Sequence, residues 1–400
     1  MSRVETTTNF RDSNGADLGK KLITKDYLIS VYPSIGQQIG IPPELWIWGK
    51  NDFGQLGDNT VTHKSTPVTT SAGGTNWKQV STGGYHCAAI KTDGTLWTWG
   101  SGDSGRLGTN DTATTRSTPV TTFAGGTNWK QVSAGRFHCA AIKTDGTLWT
   151  WGSGTFGQLG DNTTTNKSTP VTTFAGGTNW KQVSAGRLHS AAIKTDGTLW
   201  TWGLGGDGRL GDNTTTNKST PVTTFAGGTN WKQVVTGDAL CAAIKTDGTL
   251  WTWGFARGLG DNTETSKSTP VTTFAGGTNW KQVSSGRYHC AAIKTDGTLW
   301  TWGYGTSGQL GDNTTTEKST PVTTFAGGTN WKQVSSSFRH CAAIKTDGTL
   351  WTWGYGTYGR LGNNTTTDKS TPVTTFAGGT NWKQVSSSGY YCAAIQSIDF

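Results

Sequence analysis

A chain of 400 residues with a net charge of +9 carries only 15% charged side chains, but 58 glycines and 21 tryptophans. So few charges exclude a disordered polyelectrolyte, and glycine without a three-residue period excludes a collagen-like rod. No apolar run approaches the roughly 18 residues that a membrane helix needs, so no membrane insertion is expected.

The opening stretch Met1–Phe10 is polar and lacks the apolar core of a secretory signal, which implies a soluble protein made in a cytoplasm. Residues 1–44 stand apart from everything that follows, and we read them as a docking arm. Tyr27-Leu-Ile-Ser-Val-Tyr32 reads as a short strand before Pro33 and the stiff Pro42-Pro43. An apolar strand with few partners of its own should dock on something. This opening resembles those of bacteriophage virion proteins, which implies a virion location and other virion proteins as partners of residues 1–44.

From residue 45 onward the chain repeats. Trp-Lys-Gln-Val begins at Trp77, Trp129, Trp180, Trp231, Trp280, Trp331 and Trp382, and Trp-x-Trp-Gly ends at Gly49, Gly100, Gly152, Gly203, Gly254, Gly303 and Gly354. These markers define seven units of about 51 residues. Within one unit, Trp129-Lys-Gln-Val-Ser, His138-Cys-Ala-Ala-Ile-Lys, Leu148-Trp-Thr-Trp151 and Pro170-Val-Thr-Thr-Phe174 read as strands. Between the second and third, Asp145-Gly146 reads as a hairpin turn with both residues at positive φ. Asn-x-Thr triplets such as Asn162-Thr-Thr164 read as turn sequence. The last unit stops after Cys392-Ala-Ala-Ile, whereas the first opens on an unpartnered Leu45-Trp-Ile-Trp-Gly49. The expectation is all-β: a seven-bladed β-propeller of four-stranded antiparallel blades over 45–400, closed by both termini. Three tryptophans per unit account for all 21, and large flat side chains suit the space between blades.

Gly-x-x-His-x-Ala-Ala-Ile, x-x-Asp-Gly-x-Leu-x-x-Trp-Gly and Gly-Gln/Arg-Leu-Gly, as at 135–160 and 286–311, resemble the regulator of chromosome condensation repeat. That resemblance implies the propeller fold and leaves several functions open, among them a guanine nucleotide exchange factor acting on a small GTPase. The photoreceptor branch of the family is similar to Gly-Trp-Arg-His before the Ala-Ala strand. Gly-Arg-Tyr-His289 and Ser-Phe-Arg-His340 here lack that tryptophan, which sets the branch aside.

Copies of the repeat differ in two places: the segment before the Ala-Ala strand and the segment after Trp-Gly. Strand parity puts both on one face. Eight of the eleven arginines lie there, including Arg106, and seven of the nine tyrosines. Arg and Tyr are enriched at binding hot spots. The partner-binding candidates are Arg136, Phe137, Arg187, Arg209, Arg257, Arg287, Tyr288, Tyr304, Phe338, Arg339, Tyr355, Tyr358, Arg360 and Tyr390. Together with the opening residues they suggest a non-enzymatic virion structural protein whose variable face binds a host surface protein or an anionic glycan. The alternative is a cytoplasmic protein-interaction propeller or exchange factor.

Other chemistry is not expected. The repeated lysines, as at Lys167, Lys181 and Lys194, spread charge around a ring rather than forming a nucleic-acid stripe. Six cysteines share one position with Ser190, too far apart for bridging, and read as buried free thiols. His86, His138, His189, His289 and His340 precede that position and read as hydrogen-bonded structural groups, since one per blade is too wide a ring for zinc. Gly160-Asp-Asn-Thr163 offers one carboxylate where calcium needs six to eight oxygens. No metal, cofactor or catalytic set is expected.

Overall fold

The computed structural model describes residues 7–11, 17–22, 41–72 and 76–398. The chain divides into a unit of residues 1–42 with 397–400 and a unit of residues 43–396. In the first, Thr7–Arg11 and Asp17–Leu22 form an antiparallel hairpin with Thr7 opposite Leu22. The strand expected over Tyr27–Tyr32 lies outside the described residues.

The second unit is seven four-stranded antiparallel sheets. Blades 1 to 6 span residues 77–121, 129–172, 180–223, 231–272, 280–323 and 331–374. Blade 7 joins Trp382–Ser388 and Tyr391–Ile398 to Ile41–Gly49 and Lys64–Thr69, so both ends of the chain close the ring. The order within each blade runs from the Trp-Lys-Gln-Val strand at the axis to the Lys-Ser-Thr-Pro-Val-Thr strand at the periphery. Proline tolerates that outer position because an edge strand needs no N–H on its free side.

Two local expectations change. In blade 2 the fourth strand is Lys167–Thr172, and Phe174 lies beyond it at a turn. Only Gly146 of the Asp-Gly pair has positive φ, at 82°. The Gly146 N–H donates to Lys143 O at 3.0 Å and the Lys143 N–H to Thr147 O at 3.1 Å. This is a three-residue hairpin with a left-handed glycine, which needs no strained aspartate. Asp145 instead accepts the Thr147 N–H and hydroxyl.

Each seam between blades holds its own apolar cluster. Ala88, Ile90 and Leu96 of blade 1 pack on Trp129, Val132 and Trp151 of blade 2, and the other six seams repeat the arrangement. The indole and alanine sizes are complementary: small residues on one blade admit the large ring of the next.

Polar contacts then lock the seams. Gln131 Nε2 donates to Val183 O and the Val183 N–H donates to Gln131 Oε1, each at 3.1 Å. The same double bond joins Gln79 to Val132, Gln182 to Val234, Gln233 to Val283, Gln282 to Val334, Gln333 to Val385 and Gln384 to Val80. A second contact sends the indole N–H of Trp151 to Arg106 O at 3.0 Å, again with an equivalent at every seam. In a third, Ser133 Oγ accepts the Ala185 N–H at 2.9 Å. Six seams have it. The seam between blades 4 and 5 does not, because Val235 replaces the serine, and Ser285 Oγ is left buried without a partner there.

Strand direction also sorts the charge. Five of the six lysines that begin the fourth strands pair with the aspartate of Gly-Asp-Asn, as Lys167 does with Asp161 at 3.3 Å. The other two repeated lysine positions, at the lower ends of the first and second strands, share the constant face. The basic ring is therefore one-sided, which the even spacing in sequence did not suggest.

Candidate binding mouth on the variable face

The loop between the first and second strands is held by its neighbour. Arg136 N–H donates to Gly186 O at 3.0 Å, Arg187 N–H to Gly237 O at 3.3 Å and Arg287 N–H to Ser337 O at 3.1 Å. A Cβ on Gly135 would stand 3.0 Å from His138 Cε1, so the position ahead of each arginine favours glycine. The loops bring one residue per blade to the axis, Gly84 and Gly389 among them. Arg136, Arg187, Asp238, Arg287 and Phe338 line a cavity of about 110 Å³ there, with Tyr390 at its side.

Three guanidinium groups face one carboxylate. Arg136 Nη1 is 3.6 Å from Asp238 Oδ2, and Arg209 Nη1 donates to Asp238 O at 3.0 Å. Burial pushes the Asp238 carboxyl above the usual carboxylate range, while Arg136, Arg187, Arg287 and Arg209 pull it back. Phe338 reaches across the mouth, its ring centre 4.3 Å from the Arg287 guanidinium carbon and 5.7 Å from that of Arg136. The Nε atoms of Arg136, Arg187 and Arg287 and Asp238 Oδ2 are buried without a hydrogen-bond partner. Such an arrangement can take an additional anion, with three planar donors suited to carboxylate.

Around the mouth runs an aromatic arc. Phe137, Tyr85, Tyr390 and Phe338 follow one another at ring-centre distances of 6.3, 6.1 and 5.7 Å. Arg339 stacks on Phe338 and Tyr355, and Tyr288 meets Phe255 and Tyr304. Tyr85 and Asp238 belong to the variable segments but not to the partner-binding candidates, although Asp238 is the one acid among the seven equivalent loop positions.

Other candidates sit elsewhere. Arg209 and Arg360 are 7% and 0% exposed, and Arg106 4%, so they brace the loops and cannot make direct partner contacts. Their Nε–H groups bond the carbonyl three residues earlier. Arg360 lies among the rings of Tyr355, Tyr358 and Tyr390, and burial lowers it to about 10. Loop arginines look exposed in sequence because the folding-back of the Gly-Arg-Leu-Gly segment is not visible there. Arg257 is exposed and pairs with Glu317 at 2.6 Å on a separate cleft beside Phe255.

The histidines and thiols form seam contacts below the mouth. His86, His289 and His340 place Nε2 at 2.9, 3.2 and 3.0 Å from Cys139, Cys341 and Cys392 of the following blade. His138 meets Ser190 at 2.8 Å, the hydroxyl standing where other blades have sulfur. Tyr391 donates to His86 O to close the circle. All six cysteines are free and buried.

The model of the RCC1-like domain matches this chain twice, over residues 43–258 and 172–397. The chain is 31% identical over 333 residues to the ultraviolet-B receptor UVR8 of Arabidopsis thaliana, covering 82% of this chain and 64% of the receptor. It is 32% identical over 184 residues to the probable E3 ubiquitin-protein ligase HERC4 of Homo sapiens, covering 45% of this chain and 17% of the ligase. It thus spans less than two thirds of these relatives. The structure of Prp20p from Saccharomyces cerevisiae, described with its binding to Gsp1p and histones, matches with a TM-score of 0.74 at 20% identity, covering 89% of this chain and 91% of that one.

Proposed function

The chain belongs to the RCC1-like domain family, and on that footing we propose that it is a non-enzymatic protein-interaction propeller that holds an acidic segment of a partner protein over its axial mouth. The observation that carries this reading is the cluster of Arg136, Arg187 and Arg287, whose buried Nε atoms have no partner and outnumber the one carboxylate between them. Phe338 and Tyr390 supply flat contact area beside those charges. Among the described residues no group of three or more His, Cys, Asp or Glu could hold a metal.

Fluorescence anisotropy with a labelled poly-glutamate peptide tests it. Tight, salt-sensitive binding by the intact protein and loss in the R136S/R187S/R287S variant are expected; equal binding by both overturns the reading. Accelerated release of labelled GDP from a small GTPase would assign the same surface to nucleotide exchange. A virion role, with residues 1–44 anchored to other virion proteins and the mouth on a host surface protein or anionic glycan, rests on the resemblance of the opening residues. The proteins compared above come from Arabidopsis thaliana, Homo sapiens and Saccharomyces cerevisiae.

A further inference from the structure

The constant face carries two features that the variable face does not need. The first is a set of exposed phenylalanines. After each fourth strand the chain turns, as where the Gly125 N–H donates to Thr122 O at 3.0 Å. Thr122 is buried and Ala124 packs on the seam cluster, which leaves Phe123 at the outward corner of the turn. Phe123, Phe174, Phe225, Phe274, Phe325 and Phe376 occupy this corner and are 65–67% exposed. In blade 7 the equivalent position is Ser71, whose N–H donates to Gly57 O as that of Phe123 does to Gly108 O. The turn therefore does not require an aromatic side chain, and such corners ordinarily favour small or polar residues.

The second feature is charge. Lys78, Lys130, Lys181, Lys232, Lys281 and Lys332 follow the tryptophan at the lower end of six innermost strands and are exposed. Six more, from Lys91 to Lys345, end the second strands, each lying over two indole rings, as Lys143 lies 4.8 and 4.5 Å from Trp129 and Trp149. Among the described residues, the six aspartates of the hairpin turns and Glu44 stand against these twelve, a surplus of five positive charges.

We propose that this face docks on an anionic lipid surface. Equivalent repeat positions lie at one height, so the phenylalanine corners form a level ring on this face and each set of lysines forms another. A bilayer can meet such a ring all at once, phenylalanine entering the headgroup boundary and lysine facing acidic headgroups. A single nucleic-acid strand follows a line and would meet only part of it. A second copy stacked on the same face would bring two like charges together. The variable face would then point away from the membrane, with its mouth open to a partner.

The test is co-sedimentation of the full chain with phosphatidylcholine vesicles, with and without phosphatidylserine. Binding to the phosphatidylserine vesicles alone, weakening as salt is added, is the expected result. Replacing the six phenylalanines by serine, the residue blade 7 already uses, should weaken binding at least about tenfold while leaving the thermal transition in place. The K130Q/K181Q/K232Q/K281Q variant should weaken it similarly, and R136S/R187S/R287S should bind vesicles as the intact protein does, which separates this proposal from the preceding one. Failure of the intact protein to bind, or undiminished binding by the serine variant, would overturn it. So would capture of a single-stranded oligonucleotide through these phenylalanines with vesicles ignored.

Discussion

Gln384 and Val80 lie 304 residues apart in the chain and exchange two hydrogen bonds, Nε2–H to the valine carbonyl and the valine N–H to Oε1, both at 3.0 Å. The pair joins blade 7 to blade 1 in the same manner as every other seam. Replacing Gln384 by Ala strands both backbone groups and should cost about 1–3 kcal/mol. Q182A, at an internal seam, should cost the same within error. Urea unfolding of the two variants checks this; a much larger loss for Q384A would mean that closure depends on that one seam.

The seam between blades 4 and 5 offers the opposite experiment. V235S should supply the missing acceptor to the Ser285 N–H and raise stability by about 1 kcal/mol, read as a higher urea midpoint at an unchanged slope.

Acid should weaken the ring through its histidines. Burial holds His138 down to about 3 and His289 to about 4, against an ordinary value of 6.5. Unfolded histidine binds a proton below about pH 6.5 and the folded group does not. The stability these residues contribute is therefore complete above about pH 6.5 and is lost as pH falls toward 4, at about 1.4 kcal/mol per unit for each fully titrating histidine. H289L, which copies Leu240 of blade 4, should flatten the slope of stability against pH by about one proton.

Native thiols should be inert. Burial raises Cys290 and Cys341 to about 12, so a thiol reagent at neutral pH should find no thiolate until the chain unfolds. Reaction of even one cysteine in the folded protein would contradict the seam geometry.

At the mouth, D238N removes the carboxylate that faces Arg136. It should tighten binding of an acidic peptide several-fold, whereas R136S should weaken it, both measured by anisotropy.

Blade number, strand order and closure were legible because each depends on local signals repeated seven times: alternation in Leu-Trp-Thr-Trp, a glycine after aspartate, an unpartnered strand at each end. The paired Gln–Val bonds were not, since a glutamine at a half-exposed strand position looks like solvent-facing sequence until a neighbouring blade is placed beside it. Phe174 reads as strand because Gly176-Gly177, the first turn signal after Pro170, comes only beyond it, yet the Gly176 N–H bond to Thr173 O takes it out of the sheet. Gathering Arg136, Arg187 and Arg287 around Asp238 required the axis itself, and the burial of Arg209 and Arg360 required the fold of their loops.

Blade 7 is built from the first and the last strands of the propeller, so the nascent chain carries Ile41–Gly49 paired only to Lys64–Thr69, with its inner edge open, until residues 382–398 have been made. A product cut short before Trp382 would keep an open strand edge and an uncovered apolar seam, an invitation to chaperone or protease. The ring therefore inspects its own length: only a chain synthesised through its last blade can hide its first.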